Sequence, residues 1–146
     1  MENEIGILTK TKIFTTQNIL ISANQEVFLI TLNNTTQLNS SLKQLTWGLF
    51  APNNTVWLNT FLKLYIDNEQ NADFVITSND IVNKVGYNNA GNYLDVQVYS
   101  FTNNRNSIIS IRTNIEFYKF LTIAVLAGNE NITTYVAGIY EQNLKL

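Results

Sequence analysis

The sequence predicts an all-β fold, an antiparallel β-sandwich of about 8–10 strands in a jelly-roll-like arrangement. Three observations predict it. Short segments rich in Ile, Val, Thr, Tyr, Phe and Trp recur with a period near two. Clusters of Asn and Gly, with a single Pro, separate them at the spacing typical of sandwich strands. Long segments with the 3.6-residue repeat of an amphipathic helix are missing. An immunoglobulin-like Greek key has the same signature and stays open beside the jelly roll. Nothing repeats at a fixed period, which disfavours a propeller or solenoid.

In chain order, strands are expected at 12–16, 19–22, 27–33, 44–50, 55–67, 73–77, 93–102, 107–114, 116–127 and 132–141. The breaks between them have local causes. Pro52 suits the second position of a type I turn formed with Ala51, Asn53 and Asn54. Segments 103–106 and 128–131 supply Asn and Gly, which tolerate the left-handed backbone of hairpin loops. Segment 86–92 reads as a longer Asn/Gly loop, and 79–84 as a single helical turn. No composition shift divides the chain, so 1–146 is expected to form one domain, with a polar arm at 1–11 and a short tail at 143–146.

Two strands have readable faces. In 56–67, Val56, Leu58, Thr60, Leu62, Leu64 and Ile66 form a core face, and Trp57, Asn59, Phe61, Lys63, Tyr65 and Asp67 the opposite one. In 93–101, Leu94, Val96 and Val98 point to the core, while Tyr93, Asp95, Gln97, Tyr99 and Phe101 point away. A solvated sheet face has no need of so many rings. Segment 117–127 is apolar on both faces: Phe117, Leu121, Ile123 and Val125 on one, Tyr118, Phe120, Ala124 and Leu126 on the other. A central strand covered on both sides reads this way, and so does a strand at a subunit contact. Trp57, Phe61, Tyr65, Tyr93, Tyr99, Phe101, Tyr118 and Phe120 are therefore the candidate interface or ligand platform.

Composition removes several kinds of chemistry. The chain has 0 Cys and 0 His, so thiol chemistry and the usual neutral-pH base are absent. No nucleophile motif compensates, and the scattered acids give no facing pair for glycoside hydrolysis. An enzyme is not expected, nor a cofactor. With 9 basic and 11 acidic residues and no basic run, nucleic acid is not an expected partner. No apolar run is long enough for a transmembrane helix, so membrane insertion is not expected either. Asp67, Glu69, Asn71 and Asp73 place oxygens at alternate positions as a Ca²⁺ loop does, but Ala72 and Ser78 stand where such a loop needs Gly and Glu. A polar hairpin turn is the expected form. Sequons at Asn33, Asn34, Asn39, Asn53 and Asn131 mark surface loops.

The 23 Asn, 16 Thr and 7 Ser, against 14% charged residues, imply a surface of neutral hydrogen-bonding groups. Copies of such a chain meet without charge repulsion. The N-terminal residues carry acids where a signal peptide carries Lys or Arg, so none is expected. Together these features predict a structural or assembly protein, a viral capsid or virion-surface subunit that self-associates through apolar and aromatic sheet faces. The expected location is the virion or an extracellular surface. Its expected partners are copies of itself and other assembly subunits. The alternative is a carbohydrate-binding or adhesin module that keeps the aromatic platform exposed to a glycan.

Overall fold

In the computed structural model, residues 6–85, 88–91, 94–101 and 104–146 are described, with the backbone alone for 82–85, 88–90 and 99–101. Among them lie eleven strands and two helices. The strands are β1 (Ile7–Thr15), β2 (Ile19–Ile21), β3 (Glu26–Asn33), β4 (Ser40–Ala51), β5 (Phe61–Ile66), β6 (Phe74–Thr77), β7 (Asn88–Ala90), β8 (Leu94–Phe101), β9 (Asn104–Phe117), β10 (Phe120–Leu126) and β11 (Ile132–Lys145). Helices α1 (Asn54–Leu58) and α2 (Ser78–Val85) lie between β4 and β5 and between β6 and β7.

Two antiparallel sheets pack face to face. The larger runs β1-β11-β4-β9-β8-β7, with β2 also paired to β11, and the smaller runs β3-β10-β5-β6. The pairings nest: β2 with β11, β3 with β10, β4 with β9, and β5 with β6. A long antiparallel ribbon folded over itself gives this set, and that is the double Greek key of a jelly roll. Strands β7 and β8 extend the larger sheet beyond β9, and β1 extends the ribbon's other end along β11.

The core lies where the pleats of the two sheets meet. Leu42, Leu45, Trp47 and Leu49 of β4, Ile109 of β9 and Val136 of β11 face Leu62, Leu64, Leu121, Ile123 and Val125, all at most 2% exposed. The Trp47 indole N–H donates to Thr134 Oγ1 at 2.9 Å, so the ring is buried without an orphaned donor. Gly138 is required by contact. A Cβ there would stand 2.1 Å from the Gln44 carbonyl oxygen and 2.7 Å from the Phe14 ring, the one buried side chain of β1.

Five expectations need correction. The expected strand 55–67 begins only at Phe61. The Asn53 side chain accepts from Val56 N–H at 2.9 Å and caps α1, turning 54–58 into a helix. Strand β1 starts at Ile7, so 7–11 belong to a sheet and not to an arm; likewise β11 runs through 143–145, expected as tail. The loop expected at 86–92 contains β7, and the helical turn expected at 79–84 is the two-turn α2.

Candidate functional site

The aromatic platform does not form, and the helix is the first reason. Adjacent residues of a strand point to opposite faces, whereas adjacent residues of a helix can both face the core. Val56 and Trp57 do so, each 0% exposed. The Trp57 indole N–H donates to Ser107 Oγ at 2.9 Å, Ser78 Oγ donates to the Trp57 carbonyl, and the Arg105 guanidinium lies 5.5 Å from the ring centre. Trp57 plugs one end of the sandwich and touches no solvent.

Tyr65 does lie on the outer face of the smaller sheet, yet it is covered there. Its ring packs 5.3 Å from that of Phe28. Its hydroxyl donates to Glu26 Oε2 at 2.9 Å, and Glu26 also holds Lys63 at 2.9 Å. Burial first, then the Glu26 carboxylate that accepts its proton, push the Tyr65 phenol above its ordinary pKa. On β10 between these groups, Thr122 and Ala124 are both 0% exposed, and Thr122 shares a 2.9 Å hydroxyl bond with Thr31 of β3. Strand β10 is thus the central strand covered on both sides, and the cover comes from the chain itself. Of the remaining platform residues, Phe61 and Phe120 are half-buried and Tyr118 is 64% exposed at the β9–β10 corner. Tyr99 and Phe101 lie on β8 with only their backbone described, and Tyr93 lies outside the described residues. The eight do not converge.

Segment 67–73 is the β5–β6 hairpin, and its carboxylates are turned to backbone N–H groups. The Asp67 carboxylate accepts from Tyr118, Lys119 and Phe120 at 2.6–3.2 Å, pinning the β9–β10 corner. Asp73 accepts from Ile66 N–H at 2.8 Å. Glu69 and Asn71 are exposed, and no cluster of metal-ligating side chains occurs among the described residues. Four sequon amides also hold loops together. Asn34 bonds Leu38, Tyr118, Thr36 and Ser40; Asn39 bonds Asn143; Asn53 bonds Val56 and Glu130; Asn131 bonds Ala23.

Two other surfaces stand out. The first is a polar recess on the outer face of the larger sheet, where cross-strand register brings together Gln44 with Arg112 and Asp95 with Ser110. Asp95 Oδ1 is buried there and has no hydrogen-bond partner among the described residues. A neighbouring hollow carries Lys43, Glu141 and Ile139. The second is the β1–β2 edge of the same sheet, with Ile7, Leu8, Ile13 and Leu20 exposed by 61%, 45%, 80% and 68%. The alternation of Ile7, Thr9, Thr11 and Ile13 is a signal for this strand within and beyond the segment 1–11 expected as a polar arm.

The fold thus defines the chain as a jelly-roll β-sandwich with an open apolar edge and a polar recess. No protein-family model and no curated protein matches the sequence. No helix among the described residues is long and apolar enough to cross a membrane.

Proposed function

We propose that the chain is a non-catalytic structural subunit that assembles with copies of itself, of the kind that builds a virion shell or a comparable extracellular lattice. One observation carries the reading: the β1–β2 edge keeps four large aliphatic side chains in solvent, Ile7, Leu8, Ile13 and Leu20, on two strands whose outer side is unpaired among the described residues. Natural sheets normally blunt or cover such an edge, because it templates association. The aromatic rows lend no support, since Trp57 and Tyr65 are buried within the subunit. Further support is of a general kind. Jelly rolls serve capsids among other roles, and the neutral Asn/Thr surface with 0 His and 0 Cys suits assembly better than catalysis. Sedimentation velocity over a concentration series tests the reading. Growth of a discrete oligomer supports it; a single monomeric boundary at every concentration overturns it.

A second reading, a module that holds a polar ligand such as a glycan, is favoured by the unpartnered Asp95 oxygen in the recess with Gln44, Ser110 and Arg112. A hydroxyl donor would satisfy that oxygen. Its test is a glycan screen on the chain and on Asp95→Asn. Binding that the substitution abolishes, with melting unchanged, would establish it; an empty screen would end it.

A further inference from the structure

Cross-strand registers fix how side chains stand on the outer face of the larger sheet. One row runs Ala137, Thr46, Ser110 and Asp95 across β11, β4, β9 and β8. Beside it lie Tyr135, Gly48 and Ile108 on one side, and Ile139, Gln44 and Arg112 on the other. The middle row is low. Ala137 is small, and the hydroxyls of Thr46 and Ser110 are tied to each other at 2.9 Å. This row floors a trough that crosses the strands, with Ile108 on one bank and Gln44 and Ile139 on the other.

The two ends of the trough differ in chemistry. At the β8 end Asp95 Oδ1 is buried without a hydrogen-bond partner, and Arg112 forms no ion pair, both among the described residues. An acid and a base thus share one recess and leave each other unbound. At the β11 end the Tyr135 ring lies on Gly48, where a Cβ would run into it, and the Phe50 ring stands 6.1 Å away. The glycine lets the ring lie flat on the sheet, so its second face turns outward.

Charge and size together specify the occupant. A buried carboxylate oxygen calls for a donor and a guanidinium for an acceptor, and a hydroxyl is both. With one acidic and one basic side chain, the recess favours neither an anion nor a cation. At about 260 Å³ it falls below the usual range of small-ligand sites, about 300–1,000 Å³, so a ligand held well reaches beyond it. The low floor leads from there to Tyr135, three strand spacings or about 14 Å across the sheet. We propose that the trough binds a neutral oligosaccharide laid across the strands, with hydroxyls of one sugar on Asp95 and Arg112 and a later sugar stacked on Tyr135. This deepens the second reading above and rests on it.

A glycan array carrying neutral, sialylated and sulfated oligosaccharides, probed with the full chain, gives the ligand, which calorimetry then titrates as a single sugar and as longer oligomers. Neutral glycans bind, and affinity rises with length. Asp95→Asn weakens every length about 10–100-fold. Tyr135→Ala weakens the oligomer about tenfold and leaves the single sugar as in the wild type, which also shows that the variant is folded; Tyr135→Phe, which keeps the ring, binds the oligomer as the wild type does. Binding that Asp95→Asn abolishes but that gains nothing from length and ignores Tyr135→Ala overturns the trough and leaves the recess standing as a polar-ligand site. Binding restricted to acidic glycans does the same. An empty array, or binding untouched by Asp95→Asn, overturns both.

Discussion

The outer face of the smaller sheet and the outer edge of the larger one begin from similar residues and end differently. Around β10 the rings and aliphatics are closed over by their neighbours: Phe28 lies on Tyr65, Tyr65 bonds Glu26, Glu26 holds Lys63, and Thr122 and Ala124 beneath them reach 0% exposure. Along β1 nothing closes among the described residues. Eight of the nine residues of β1 are exposed, and Phe14 alone is buried. The difference teaches that aromatic content does not by itself mark a contact surface. A ring with a hydrogen-bonding neighbour on the next strand can be finished within the subunit, whereas an isoleucine on an unpaired edge cannot.

The comparison can be broken from its closed side first. Trp57→Ala should lower the unfolding free energy by about 3–5 kcal/mol, measured by urea denaturation, because it empties a buried site and strands Ser107 and the Arg105 contact. A loss near zero would mean that the plug is not part of the core. Asp67→Ala should follow, at about 2–3 kcal/mol. It removes the acceptor for three backbone N–H groups and leaves a residue with a Cβ but no polar side chain at φ 58°. Asp67→Asn should cost less, since Asn tolerates that backbone.

Tyr65→Phe should cost about 1 kcal/mol at neutral pH. It also carries a pH signature. The folded-state pKa of Tyr65 is raised above 10.0, so below that value both states hold the proton and the contribution is complete. As pH rises through the unfolded value and then the folded one, the unfolded chain releases its proton first and the contribution is lost. Stability of the wild type should therefore fall more steeply above about pH 10 than that of Tyr65→Phe, by denaturation at matched ionic strength. Equal slopes would mean that the phenol is not held by Glu26. On the open side, Ile13→Ser should change subunit stability by no more than about 0.5 kcal/mol while weakening association. A large loss of subunit stability would place Ile13 in a core and not on an edge.

Much of this architecture was legible because strand periodicity survives wherever one face meets the core. Leu62, Leu64 and Val96 sit where alternation placed them, and β2, β3, β6 and β8 lie within about a residue of their expected bounds. Helix α1 was hidden because Val56, Trp57 and Leu58 are apolar in any reading, and the Asn53 cap competes with the Pro52 turn for the same residues. The start of β4 was hidden because Ser40 and Ser41 look like loop, though they are 0% and 5% exposed between β11 and β9. The recess was only half legible. Asp95 could be placed on an outer face from alternation, but its company of Ser110, Gln44 and Arg112 depends on registers across three strands, which no local pattern encodes.

Amide hydrogen exchange of β1, followed residue by residue as protein concentration rises, interrogates the open edge most directly. If copies of the chain pair there, the N–H groups of Ile7, Thr9, Thr11 and Ile13 exchange quickly in dilute solution and slow in concentrated solution, while Leu8, Lys10 and Lys12, already bonded to β11, change little. Odd-numbered amides that exchange at one rate throughout, in a sample that does associate, would show that the subunits meet somewhere else.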